Sequence, residues 1–189
     1  MSPPDRAVLL TPGSGAGRDQ PALVAVEEAL APVAVERMDF PYRLAGRKSP
    51  DRAEVLVAAV RRGAEALAER TGLSTARLVL GGRSMGGRMC SMAVAEGLDA
   101  LGLALISYPL HPPGRPDRLR TEHLGRLDLP CLFLSGTRDA FGAPAELEEA
   151  TAAIPGPVTH VWLEGGDHGL RRCDGDVAVA VRDWVMGLA

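Results

Sequence analysis

A serine flanked by glycines, Gly82-Arg83-Ser84-Met85-Gly86, lies where the apolar run Leu78-Val79-Leu80 stops and a helix-like run from Met89 to Ala95 begins. That placement reads as a nucleophile elbow. A sharp, strained turn lifts the serine clear of its neighbours, and a glycine two residues to either side lets strand and helix pass close together. A serine hydroxyl is a weak nucleophile until a base takes its proton during attack, so the chemistry in question is acyl transfer through serine, with a histidine and an acid as partners. Two other readings of the pentapeptide compete. One is a flexible glycine turn, which Gly81, Gly82, Gly86 and Gly87 would suit. The other is a phosphate-binding turn, which needs a lysine reaching the phosphates; the only lysine, Lys48, lies in another loop.

To position such a serine the chain must supply a strand before it, a helix after it, and neighbours that bring base and acid to the same edge. Strand-like and helix-like runs alternate throughout. Ala7 to Thr11 is a short apolar run ended by Pro12-Gly13, Pro21 to Ala31 carries helical spacing, and Val33 to Met38 reads as a second strand. Ser49-Pro50 fits an N-cap with proline in the first helical position, opening a helix to about Arg70. Arg77 to Leu80 leads into the serine turn, and Gly102 to Ser107, Cys131 to Ser135 and Val158 to Leu163 supply three further strands. Helices are expected from about Ala145 to Ala153 and from an Asp174 cap onward, the last with Val177, Val181, Trp184, Val185 and Leu188 on one face. Such strands, each followed by a helix or a long return, indicate an α/β fold: about six mostly parallel strands with helices on both faces, in one domain over residues 1–189. The irregular stretch Tyr108 to Leu129, with a short helix expected near Thr121 to Leu127, is too short for a lid domain. The site is therefore expected to be open or shallowly covered.

In a parallel sheet every strand's carboxyl end meets one edge, where ligands bind. Ser84 follows the third strand. Asp139 follows the fifth in Leu134-Ser135-Gly136-Thr137-Arg138-Asp139, and His168 follows the last in Leu163-Glu164-Gly165-Gly166-Asp167-His168-Gly169. The order Ser, Asp, His is the one an α/β-hydrolase uses. His168 would act as base and then as acid, and Asp139 would fix its tautomer. The oxyanion needs two N–H donors: Met85, next to the serine, and Ser14, in the glycine loop Thr11-Pro12-Gly13-Ser14-Gly15-Ala16-Gly17. Gly13, Arg83 and His111 are candidate pocket residues. Arg83 has a competing, favoured role in packing or a structural ion pair, and His111 an even alternative in stiffening its proline loop. Asp167 and Glu164 are rival acids, Asp167 too close in sequence to orient His168 easily. His123 reads as a surface residue, and His160 lies within the last strand.

Formal net charge is -3, from 21 Lys+Arg against 24 Asp+Glu, with no run of like charges, so nucleic acid is not an expected partner. No basic-then-apolar leader opens the chain at Met1-Ser2-Pro3-Pro4-Asp5, and no apolar run reaches about 18 residues, so a cytoplasmic location without membrane contact is expected. Cys90, Cys131 and Cys173 are far apart and suit free thiols, and the four histidines show no metal spacing, so neither a metal nor a cofactor is expected.

With these residues in place the chain resembles a compact, lidless α/β-hydrolase family that includes the third regulatory subunit of the NSL chromatin complex and bacterial predicted hydrolases. The resemblance rests on Gly81-Gly82-Arg83-Ser84-Met85-Gly86-Gly87-Arg88, Tyr108-Pro109-Leu110-His111-Pro112-Pro113-Gly114, Arg120-Thr121-Glu122-His123-Leu124 and Gly136-Thr137-Arg138-Asp139. More loosely it is similar to dienelactone hydrolases, which use cysteine where this chain has Ser84. The resemblance implies a minimal hydrolase fold with Ser84, Asp139 and His168 as triad, and no particular substrate. The function expected is a serine hydrolase working through an acyl-enzyme on esters or thioesters of small soluble acyl groups. The alternatives are a non-catalytic interaction module on a hydrolase scaffold, or an acyltransferase or perhydrolase using the same triad. The expected partner is the small-molecule ester or thioester, and a homodimer is compatible with this reading.

Overall fold

The structure is a computed structural model that describes residues 5–189; the expectation drawn from the first four residues lies outside that range. Six strands form one sheet, β1 (Ala7–Thr11), β2 (Ala34–Arg37), β3 (Leu78–Arg83), β4 (Gly102–Ile106), β5 (Cys131–Gly136) and β6 (Val158–Leu163), in the order β2-β1-β3-β4-β5-β6. Every pairing is parallel, with Ala7 opposite both Ala34 and Leu78. The central strands β1, β4 and β5 are buried along their whole length, and β3 up to Arg83, which explains their continuous apolar character; the edges β2 and β6 are half-buried.

Side-chain alternation splits the core in two. Leu9, Leu78, Leu80, Leu105 and Phe133 face α3 (Ala53–Thr71), α4 (Met85–Ala95) and α5 (Pro144–Thr151). Val8, Leu10, Val79, Ile106, Leu132 and Leu134 face α1 (Pro21–Leu30) and α6 (Asp174–Gly187). A single-turn helix, α2 (Pro41–Leu44), absent from the sequence reading, opens on a proline and buries Tyr42.

Three boundaries differ from expectation. Helix α3 starts at Ala53, not at Ser49-Pro50, because Arg52 holds the extended angles of a flanking residue and Asp51 is tied to Arg47 at 2.7 Å in the preceding loop. Cys173 rather than Asp174 flanks α6, although Asp174 and Asp176 lie in its first turn, where the helix dipole favours acid. Strand β3 continues through Gly81, Gly82 and Arg83, and α4 begins at Met85 instead of Met89. Glycines hide both extensions from any hydrophobic pattern.

The 108–129 stretch has no lid among its residues; it packs down on α4. Leu110, Leu124 and Leu127 are buried, Tyr108 Oη donates to the Arg120 carbonyl at 2.8 Å, and a 3-10 turn spans Leu124–Arg126. His123, expected at the surface, is 5% exposed and bonds Ser91 of α4 through Nε2 at 2.8 Å. Among the described residues no helix is long and apolar enough to cross a membrane.

Burial, reinforced by the Arg88 guanidinium, pushes His123 down to about 4. The unfolded chain takes up this proton near pH 6.5, and the folded chain resists it until about pH 4, so stability falls as pH drops through that window. Urea unfolding at pH 7 and pH 5 should show a larger stability loss for wild type than for His123→Gln, the difference growing by up to about 1.4 kcal/mol per pH unit. Equal losses would show that His123 does not resist protonation in the fold.

Candidate active site

The turn between β3 and α4 puts Ser84 at φ 51, ψ -117, a conformation few non-glycine residues adopt. Its cost is offset by packing that leaves the turn no alternative. A Cβ at Gly82 would run into the hydroxyl and carbonyl of Thr11, and one at Gly86 would lie 2.5 Å from both the Pro12 carbonyl and Thr11 Oγ1. Both glycines thus press on the same end of β1. The backbone N–H of Ser84 donates to the Ile106 carbonyl at 2.8 Å, pinning the turn to β4 as well.

Asp139 and His168 reach Ser84 from loops after β5 and β6 that are laced together. Arg138 N–H donates to the Gly166 carbonyl at 2.9 Å, Gly165 N–H donates to Thr137 Oγ1 at 2.9 Å, and a Cβ at Gly136 would collide with the Gly166 backbone. Asp139, 4% exposed, has both carboxylate oxygens 2.9 Å from His168 Nδ1, and its Oδ1 also accepts from the Phe141 N–H at 2.8 Å. A carboxylate only accepts, so Nδ1 carries the proton and Nε2 is free to accept from Ser84 Oγ, 2.9 Å away. Phe141 stacks on the imidazole with ring centroids 3.9 Å apart. These contacts fix the ring in its plane and along its axis. Asp167 and Glu164, the rival acids, are exposed and make no hydrogen bond to His168.

Ser84 opens into a cleft of about 270 Å³. Ser14 and Met85 line it beside Ser84, with Pro109, Arg88, Arg120 and Phe141 around them. Met85 is the first residue of α4, whose leading N–H groups have no intrahelical acceptor. In the facing loop the N–H of Gly13 donates to Gln20 Oε1, and that of Gly15 to Tyr42 Oη. The N–H of Ser14 between them has no acceptor among the described residues.

The three candidate pocket residues lie elsewhere. Gly13 packs beneath the elbow, where an added Cβ would sit 3.5 Å from the Arg83 carbonyl and 3.7 Å from Ser84 Cβ. Arg83 shares the strand parity of Val79 and so points to the α1/α6 face, where its Nη2 donates to the His168 carbonyl. Burial lowers its proton affinity, partly countered by Asp139, Asp167 and Asp174. It braces the histidine loop from behind and is not in the cleft. His111 is turned away: Nδ1 donates to the Pro112 carbonyl at 2.8 Å, and Nε2 lies 3.5 Å from Glu146 of α5. The cleft-wall residues that sequence reasoning missed are Arg88, Arg120 and Phe141. Arg88 could have been found from its place one helical turn after Ser84.

A second serine–histidine pair, Ser91–His123, lies deeper. Ser91 is fully buried and its hydroxyl donates to the Arg88 carbonyl at 2.9 Å, so His123 Nε2 is the donor in that pair and cannot take a proton from Ser91. Its role is to tie the 108–129 stretch to α4. Cys90 and Cys131 are buried thiols pushed up to about 12 by desolvation, and are not nucleophiles. A larger groove of about 410 Å³ between Leu119 and α5 contains none of Ser84, Asp139 and His168. Among the described residues no three His, Cys, Asp or Glu side chains are grouped to hold a metal.

A family model described as an alpha/beta hydrolase domain matches residues 4–177. Among solved structures, the chain is similar to a dienelactone hydrolase from Anabaena variabilis (TM-score 0.76, 20% identity, covering 97% of this chain and 87% of that one). It is also similar to an alpha-beta serine hydrolase homologue from Coxiella burnetii (TM-score 0.74, 14% identity, 96% and 84% covered) and to Est1E from Butyrivibrio proteoclasticus (TM-score 0.75, 14% identity, 97% and 88% covered). At these identities the structural likeness establishes the fold.

If close packing enforces the elbow, a single methyl should disrupt it. Gly82→Ala and Gly86→Ala are each expected to lose about 1–3 kcal/mol or more in denaturant unfolding, by overpacking against Thr11. Gly175→Ala, in α6 with nothing within 4 Å, should be unchanged or slightly more stable. Equal effects at all three would show that the elbow glycines are not under steric constraint.

Proposed function

This chain belongs to the alpha/beta hydrolase domain family, and we propose that within it the protein works as a serine hydrolase, with Ser84 as nucleophile, His168 as general base and acid, and Asp139 as the orienting carboxylate. One observation carries this reading: the continuous relay from Ser84 Oγ through Nε2 and Nδ1 of His168 to Asp139, every step 2.9 Å. As Ser84 Oγ attacks a carbonyl carbon, its proton passes to Nε2. The imidazolium so formed is stabilised by the buried Asp139 carboxylate. The N–H groups of Met85 and Ser14 receive the oxyanion, loss of one such donor typically raising the barrier by about 2.7–4 kcal/mol. His168 then returns the proton to the leaving alcohol or thiol, and an acyl group remains on Ser84. Water activated by the same histidine releases it.

The size of the cleft supports a substrate with a small acyl group. At about 270 Å³ it lies below the range of about 300–1,000 Å³ that takes drug-sized ligands, so esters or thioesters of small acyl groups are the best fit. We place the reaction in the cytoplasm, where the free thiols Cys90, Cys131 and Cys173 suit a reducing environment.

Turnover of 4-nitrophenyl acetate tests the relay. Ser84→Ala and His168→Ala should each lower kcat by about 10⁴-fold or more with little change in melting temperature, and Asp139→Asn by about 10⁴-fold. Ser91→Ala should retain turnover, since Ser91 has no base. Undiminished hydrolysis by folded Ser84→Ala protein would refute the assignment.

A further inference from the structure

Two guanidinium groups stand in the wall of the cleft that opens on Ser84, and neither has a counter-ion among the described residues. Some arginines of the chain pair with acids, Arg6 with Asp5, Arg37 with Asp19 and Glu27, and Arg70 with Glu36. Arg88 and Arg120, at the cleft, do not. Among the described residues no carboxylate lies within 4.0 Å of either. Arg88 makes no side-chain hydrogen bond among the described residues, and its Nε is buried without an acceptor there. Arg120 is held only by the Pro109 carbonyl, at 3.3 Å. The two also feel each other, since Arg88, after burial, is the main influence lowering the proton affinity of Arg120.

Like charges brought together at a half-buried wall, with their donors unspent, favour a bound anion. Arginine's planar fork suits a carboxylate, which it can grip with two parallel hydrogen bonds. Position relates the pair to the reaction. Arg88 lies one turn along α4 from Ser84, on the helix whose first residue, Met85, lines the same cleft, while Arg120 approaches from the 108–129 stretch. We propose that Arg88 and Arg120 form an anion subsite, and that the ester or thioester cleaved by this protein carries a carboxylate within a few bonds of its scissile carbonyl. The proposal rests on the reading of Ser84 as the nucleophile. It adds a charge requirement that the relay alone does not impose.

Paired substrates read the requirement and locate the carboxylate. Mono(4-nitrophenyl) adipate against 4-nitrophenyl hexanoate tests the acyl side, and 3-carboxyphenyl acetate against phenyl acetate the alcohol side, each corrected for its rate with hydroxide. In at least one pair kcat/KM should favour the anion by about tenfold or more, as expected of a charge-assisted hydrogen bond. The preference should shrink as salt screens the cleft. Arg120→Gln and Arg88→Gln should each cut the anion-to-neutral ratio by about tenfold, and Arg88→Lys should recover part of it. Arg120→Gln carries the comparison should Arg88→Gln fail to fold. Neutral esters preferred in both pairs, or a preference that survives both substitutions, would overturn the subsite.

Calorimetry with adipate and 3-hydroxybenzoate on Ser84→Ala protein separates this proposal from the catalytic one. Binding of either anion that is lost with Arg120→Gln supports the subsite even if no ester is turned over, in which case the serine assignment fails alone. Turnover through Ser84 without anion binding or charge preference removes the subsite and leaves the serine assignment standing.

Discussion

The backbone at Ser84 is held at a positive φ because Gly82 and Gly86 press on the end of β1 from two sides, and the rest of the site depends on that contact. A turn so tight points the serine side chain out of the sheet's carboxyl edge. It also starts α4 immediately, so that a helix N-terminus stands beside the hydroxyl. Thr11, which receives both glycines, ends the strand whose following loop carries Ser14. One steric constraint therefore sets Ser84, the Met85 N–H and the facing Ser14 loop in mutual register.

His168 and Asp139 are positioned by a second device. The loops after β5 and β6 are too irregular to hold a side chain by secondary structure, and they are fixed by backbone hydrogen bonds to each other and by the Gly136–Gly166 contact. Arg83 reaches through from the opposite sheet face to the His168 carbonyl, linking the elbow to the histidine loop. Chemistry distinguishes this histidine from His123. Both meet a serine at under 3 Å, but His168 has a carboxylate behind it and an acceptor nitrogen in front, whereas His123 is buried beside a guanidinium and donates. The same pair of residue types yields a relay in one place and a structural tie in the other.

Much of this was legible in the chain. The parallel sheet follows from near-continuous apolar strands, and parallel topology alone brings Ser84, Asp139 and His168 to one edge. What escaped depends on contacts with no local pattern. The first residue of α4 was hidden by glycines that are required for packing against β1 and β4. His123 looked exposed because its burial depends on Ser91, 32 residues away, on α4. Of the two roles the sequence offers Arg83, the favoured one in packing agrees with its place, since alternation along β3 counted from Val79 sends it to the α1/α6 face. Arg88 and Arg120 come from distant segments that only the folded chain brings to a common cleft.

The central claim is that one serine of this chain is chemically activated, and that it is Ser84. Labelling with a fluorophosphonate, followed by digestion and mass mapping, reads it directly. The account predicts a single adduct on Ser84, absent from Ser84→Ala protein and formed far more slowly in His168→Ala. An adduct on Ser91, or unchanged labelling of the Ser84→Ala variant, would contradict it.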